Sequence, residues 1–311
     1  MRNSGRIFSF TDSMKKELKV KFDSLDFVVN PNKDKFESCL GDDNDSLIGA
    51  SLYSHVSGVE IGGFYNFKNL YYSDDRDLDK KFVGIDMSLV QDGFRCFDNH
   101  VNLSNAADIG NSKMANINTF NGINLSTYNQ KYAGSTVLQM YAYYMEGKQP
   151  PTIEGGLILA CIDVAFKGHY STQYKAIHNQ YLEDLGLTWM IDLLDKYSIN
   201  EMYDFMRKIG LDSKIEMNKQ GYIVNERPWK KSAVTGKWFR DGNLLDIPFI
   251  EKHLDFPIIL PQGEFKLARE LHRQSKELHE INLNTLDKKN ILSLAYTYRN
   301  KVELTTLEKL A

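Results

Sequence analysis

Strand-like and helix-like patterns alternate along the first half of this chain, predicting an α/β fold with a mostly parallel sheet flanked by helices. Two further observations complete the expectation. The run Gly155-Gly-Leu-Ile-Leu-Ala-Cys-Ile-Asp163 is apolar almost to its end, as befits a strand covered on both faces. Beyond about residue 175 the pattern turns to helical periodicity, so the second half reads as a mainly helical C-terminal domain or cap. The boundary implied is an α/β domain over 1–178 and a helical region over 179–311.

Residues 1–35 are polar and Lys-rich around a short strand candidate at 25–29. A strand is predicted at 36–40 and a helix at 46–55, where Leu47, Ile48, Leu52 and Tyr53 fall on or near one side. Residues 59–65 form the next strand candidate. The charge run at 73–79 reads as a solvated loop. Strands follow at 82–86 and 93–98. The connection over 99–130 is rich in Asn, Ser, Thr and Gly, the composition of a surface excursion or an active-site loop. A helix is predicted from Ser135 to Met145, with Val137, Met140 and Tyr141 as its apolar face. After the apolar strand at 155–163, helices are expected at 181–197, 199–209, 263–284 and 287–298.

Composition narrows the class. Apolar residues are 42% and charged residues 25% of 311, which allows a sizeable core and argues against general disorder. The net charge of −3 neither demands nor excludes nucleic acid, since a local patch binds independently of the total. Cys39, Cys96 and Cys161 are too few, and odd in number, for a disulfide scaffold. The N-terminus lacks an apolar signal region and no run approaches membrane-spanning length, so the expectation is a cytoplasmic protein without membrane contact.

Acidic residues recur just after the strand candidates. Asp43 and Asp45 lie in Gly41-Asp-Asn-rich sequence after 36–40, Asp86 ends 82–86, Asp98 ends 93–98 and Asp163 ends 155–163. Carboxylates gathered at the ends of neighbouring parallel strands hold hard divalent cations with a phosphate between them. The helix start at Ser46 adds unpaired N–H groups that favour phosphate. Taken singly, such Asp/Asn/Ser clusters are also ordinary turn and N-cap formers.

Together these residues resemble the DHH phosphoesterase superfamily, which includes RecJ-type exonucleases, phosphodiesterases of short RNAs and cyclic dinucleotides, and family II pyrophosphatases. The resemblance covers roughly residues 20–175. It equates Asp43 and Asp45 with the first motif, Asp86 with the second, Asp98-Asn99-His100 with the Asp-His-His third motif, and Asp163 with the fourth. Gly134-Ser-Thr-Val-Leu138 is similar to the family's segment opening the next helix. The resemblance implies one or two Mn²⁺ ions, with Mg²⁺ as the alternative, held by Asp43, Asp45, Asp86 and Asp163. His100 would contact the substrate phosphate, and Asp98 would orient its neighbours. The implied activity is hydrolysis of phosphodiester bonds in single-stranded nucleic acid or short oligonucleotides, or in a small cyclic or linear dinucleotide.

Two positions depart from the family. Cys39 stands where many members carry a histidine, and Asn99 replaces the first histidine of the third motif. Cysteine is a softer donor than Mn²⁺ prefers, and an amide oxygen is weaker than imidazole. Both remain candidate ligands, and the departures leave open one metal, two, or a degenerate member that only binds nucleic acid or protein. The later half also shows no Gly-Gly-Gly-His-like segment of the family's common substrate domain.

Lys167 and His169 follow Asp163 closely, as phosphate contacts or as loop solubilisers. A second candidate surface is 227–240, where five basic residues interleave with Trp229, Trp238 and Phe239. Arg227, Trp229, Lys230 and Trp238 could hold and stack a single strand, or the segment is a hairpin packed on the domain with its lysines in water.

Overall fold

The computed structural model describes residues 13–281, 287 and 289–309; the expectation for the extreme N-terminus lies outside them. The chain opens with helices α1 (Lys16–Asp23) and α2 (Asp26–Val29), so the strand expected at 25–29 is helical. It continues through β1 (Phe36–Leu40), α3 (Asn44–Ser57), β2 (Ile61–Tyr65), β3 (Asn69–Ser73), β4 (Lys81–Ile85), β5 (Arg95–Phe97) and β6 (Met114–Ala115). Helix α4 (Ile117–Phe120) and a short 3₁₀ turn lead to α5 (Thr136–Tyr144) and α6 (Ile153–Cys161). Helices α7 (Lys175–Asp184), α8 (Thr188–Leu194) and α9 (Ile199–Lys208) follow. Next come β7 (Lys214–Met217), β8 (Ile223–Glu226), β9 (Trp229–Lys231), β10 (Trp238–Arg240) and α10 (Ile247–Leu254). The described chain finishes with β11 (Phe265–Glu270), β12 (His272–Glu277), β13 (Ile291–Tyr298) and β14 (Lys301–Thr306).

The fold is α/β, built on a seven-stranded sheet in the order β11-β3-β2-β1-β4-β5-β6. β1 pairs in parallel with β2 and β4, and β4, β5 and β6 continue in parallel. β3 and β11 add an antiparallel edge. All five residues of β1 are buried, as a strand covered on both faces requires. On one face α3 and α5 pack into the main core with Leu40, Val83, Ile85 and Phe97. On the other, Cys39, Tyr65, Met87, Leu89 and Cys96 form a smaller apolar cluster with Leu271 and Leu292. Those last two belong to the C-terminal segment, where β12-β14-β13 form a second, antiparallel sheet.

Two expectations are corrected here. The apolar run at 155–163 is helix α6, not a central strand. A short continuous apolar stretch does not distinguish a fully buried helix from a strand. The difference is made by Thr152, whose hydroxyl accepts from Gly155 N at 3.1 Å as an N-cap, and by two glycines that admit close neighbours. A Cβ on Gly155 would sit 2.2 Å from the His253 carbonyl oxygen. The helices expected at 263–284 and 287–298 are, apart from a 3₁₀ turn at 278–280, strands among the described residues, and strands β7–β10 already interrupt the helices before α10. The Val, Thr and Tyr content of β13 and β14 suits a pleated surface. β11 crosses the division drawn at 178/179 by pairing with β3.

Candidate metal and phosphate site

The strand order reverses around β1: the chain passes to β2 on one side, and β4 lies on the other. Open α/β sheets bind ligands at such a point, beyond the C-terminal strand ends. Asp43 and Asp45 follow β1, Asp86 follows β4 and Asp98 follows β5. Ser46 fastens the first two segments together, its hydroxyl donating to Ile85 O at 2.7 Å and accepting from Gly41 N at 2.6 Å.

Each carboxylate is held separately. Asp43 caps α3, accepting from Ser46 N at 3.0 Å. Asp45 is buried and accepts from Thr136 N and Val137 N, one on each oxygen at 2.8 Å, so it binds the N-terminus of α5. Asp86, at φ 57°, accepts from the Thr136 hydroxyl at 2.7 Å. Asp163 comes from the end of α6, where φ values of 49° and 51° at Asp163 and Val164 turn the chain sharply. A strand end was expected to deliver this residue; a kinked helix end does so instead.

The four carboxyls share one electrostatic environment. Burial raises Asp45 well above the usual range, and Asp86, Asp163 and Asp43 raise it further. Asp86 is raised by burial, then by Asp43, with His100 opposing. Asp163, although partly open to solvent, is raised by desolvation and by Asp43; His100, Asn99 and Lys131 pull it back. The four carboxyls are thus within electrostatic reach of one another, with Asp86 lining one cavity and Asp43 and Asp163 another, and a cation among them would relieve the repulsion.

The third motif is set in a polar scaffold. Asp98 is fully buried and accepts from Asn116 Nδ2 at 2.7 Å, with His100 Nδ1 at 2.7 Å on its other oxygen. Burial alone would lower the His100 pKa, but Asp98, then Asp86 and Asp163, override it and lift the imidazole to about 10. Asp86, Asp98 and His100 offer ligand atoms within 4.8 Å of one another. Asn99 donates to Gly134 O at 2.6 Å, while its Oδ1 is buried with no hydrogen-bond partner. An orphaned buried amide oxygen beside crowded carboxylates is a donor set that fits a hard cation. The Asn-rich connection and α5 supply the support: Asn118 Nδ2 donates to Asn99 O, and Gln139 Nε2, on α5, donates to Asp98 O.

The structure does not bring every expected residue here. Cys39 faces the smaller apolar cluster, where burial pushes its thiol up to about 12, so it remains a protonated core group. Cys161 lies on a helix, also buried. His169 is buried with both ring nitrogens engaged, by Asn179 Oδ1 at 3.1 Å and Asp195 Oδ1 at 3.0 Å, and is a structural residue. Lys167 is exposed beside a cleft. Arg227, Trp229, Lys230 and Trp238 belong to the β9–β10 hairpin. Its polar contacts run to Glu216 and Asp241, through Arg240 and Lys230, rather than to the cluster. Trp229 and Trp238 are more than half exposed, at 51% and 63%, so the hairpin's aromatics are not packed away.

Sequence reading missed the C-terminal sheet. A cavity of about 180 Å³ has Asp86 and His100 on one wall, with Arg273, Ser293, Thr297 and Thr305 on the other. Backbone bridges Leu89–Ser293 and Val101–Tyr296 fasten β13 to the segments that follow β4 and β5. No short signal in the sequence marks those residues, because their role depends on a pairing across nearly 200 positions. Among the described residues no helix is long and apolar enough to cross a membrane. No family model, no curated protein and no solved structure matches this chain.

Proposed function

We propose that this chain is a metal-dependent phosphodiesterase of the DHH phosphoesterase type, acting on single-stranded nucleic acid or short oligonucleotides. The observation that carries the reading is the shared electrostatics of Asp43, Asp45, Asp86 and Asp163, with the unpartnered Asn99 Oδ1 alongside. Asp43, Asp86, Asp163 and Asn99 are the residues that would hold one or two Mn²⁺ or Mg²⁺ ions. Asp45 has both oxygens on α5 but keeps lone pairs to share. When bound, such ions neutralise charge on a phosphoryl group and acidify a water.

The chain's own part is to position. Asp98 fixes the Nδ1 side of His100, which lines the cavity that also contains Asp86. An imidazolium with a pKa near 10 stays charged at neutral pH. Before any metal enters, it therefore serves as a hydrogen-bond donor to a phosphate oxygen rather than as a proton source. The Thr136 hydroxyl donates to Asp86 in its left-handed turn, tying the start of α5 to the end of β4.

A second reading keeps the chemistry and takes a small dinucleotide as substrate. It is favoured by the C-terminal sheet, which stands over the strand ends and leaves a cavity of only about 180 Å³ there. The test is hydrolysis of an aryl phosphodiester and of labelled oligonucleotides of graded length. Turnover with Mn²⁺ that is abolished by chelator and by Asp43→Asn is expected. Absence of turnover across metals and lengths overturns the enzymatic reading, and a sharp preference for dinucleotides selects the second.

A further inference from the structure

Beside the carboxylate cluster lies a larger cleft of about 440 Å³, within the range of about 300–1,000 Å³ typical of small-molecule sites. Its walls include Tyr128, Lys131, Lys167, Tyr174 and Tyr298. Thr297 lines both this cleft and the cavity containing Asp86 and His100, so the two spaces adjoin at that residue. Its hydroxyl oxygen is buried without a partner.

The lining has a specific chemistry. Among the described residues neither Lys131 nor Lys167 forms an ion pair. Lys131 instead lies over the Tyr128 ring, 4.7 Å from its centroid, and donates to its hydroxyl at 3.1 Å. It is half-buried, and its charge reaches Asp163. Cations kept without a carboxylate partner at the wall of an open cleft suit a phosphate. Tyr298, 64% exposed, and the half-buried Tyr174 add two aromatic rings to the lining. Aromatic faces stack on any base without reading its sequence.

We infer that this cleft is a subsite for one nucleotide, taking the base against Tyr298 and Tyr174 and the phosphate at Lys131 and Lys167. The inference rests on the phosphodiesterase reading for its catalytic purpose, but not for its ligand. A single-nucleotide cleft adjoining the carboxylates through Thr297 makes the end of a strand, rather than its middle, the part that is bound.

The test is calorimetric titration of the whole protein with adenosine 5′-monophosphate, inorganic phosphate and adenosine, in chelator so that no turnover intrudes. The monophosphate is expected to bind more tightly than either fragment. Tyr298→Ala should weaken it by about fivefold or more, the low end of base stacking, and Lys167→Ala should weaken it while leaving adenosine unchanged. Circular dichroism checks the fold of each variant. Equal affinity for monophosphate and inorganic phosphate, or unaltered binding by both variants, overturns the subsite. The same titration on Asp86→Asn separates the two ideas: binding retained where hydrolysis is absent supports the subsite whatever becomes of the activity.

Discussion

Asp45 and Asp86 carry like charge in one environment but are held by different donors, and this makes them separable. Asp45 receives two backbone N–H groups from α5. An amide at that position would turn an NH₂ toward one of them, and leaving a buried donor unpaired costs about 1–3 kcal/mol. Asp86 receives one hydroxyl, which an amide oxygen satisfies equally. Asp86→Asn is therefore expected to stabilise the metal-free protein by about 1 kcal/mol at neutral pH, while Asp45→Asn destabilises it. The pH sign follows from the raised carboxyls. Their folded pKa values lie above the ordinary 3.8, so the folded state binds their protons more tightly. That contribution is present below about pH 3.8 and is lost as pH rises through the folded values. Urea unfolding in chelator should show the advantage of Asp86→Asn growing from about pH 4 toward neutrality; a difference independent of pH would contradict it. The aspartates themselves were legible because each follows a strand-like stretch. Thr136 was legible only as part of the segment 134–138, and Asn116 and Gln139 not at all, because their hydrogen bonds join segments that no local pattern connects.

At the scale of elements, the parallel strands and the helices between them declare themselves by alternation, and β1, β2, β4, β5, α3 and α5 lie close to where their patterns put them. α6 was misread because uninterrupted apolarity carries no period. Strands β11 and β12 were misread because their polar, charged residues are exposed and mimic a solvated helix, and β13 because its apolar run carries no clear period. The segment 227–240 does form a hairpin, β9–β10, but with Trp229 and Trp238 exposed rather than packed on the domain. Its register pairs Trp238 with Lys231 and Arg240 with Trp229. Alternation along each strand then puts Trp229, Lys231, Trp238 and Arg240 on one face, with Lys230 and Phe239 on the other. Arg240 already lies 4.1 Å from the centroid of the Trp229 ring. Such a face supplies stacking and charge together. Replacing Trp229 and Trp238 by alanine should weaken binding of a single-stranded oligonucleotide by about tenfold or more, with the thermal midpoint nearly unchanged. Unaltered binding, measured by fluorescence anisotropy, would remove the hairpin from the substrate path.

For the whole molecule, the consequential arrangement is that the last described strands return to the first ones. β11 extends the main sheet, and β12-β14-β13 cover the face opposite α3 and α5, with Leu271 and Leu292 in the apolar cluster that contains Cys39. The hydroxyl of Tyr65 meets that of Ser293 at 2.8 Å, and Thr305 donates to Phe67 O at 3.2 Å, so the cover is anchored by polar contacts as well as by burial. Asp86 and His100 and the C-terminal residues that line the same cavity thus come from distant parts of the sequence. This explains why the acids were readable and the enclosure was not. It also shows why Cys39 is no ligand: the sheet face to which it points is covered by apolar side chains. Asn99, by contrast, keeps an unpaired oxygen where the resemblance calls for a metal ligand.

The decisive measurement is calorimetric titration of Mn²⁺ into the chelator-stripped protein, alongside Asp43→Asn and Asp163→Asn. The account predicts saturable binding of one or two ions to the wild type, a thermal midpoint that rises with occupancy, and at least tenfold weaker binding in each variant. Absence of Mn²⁺ and Mg²⁺ binding, or binding that both substitutions leave intact, would contradict it.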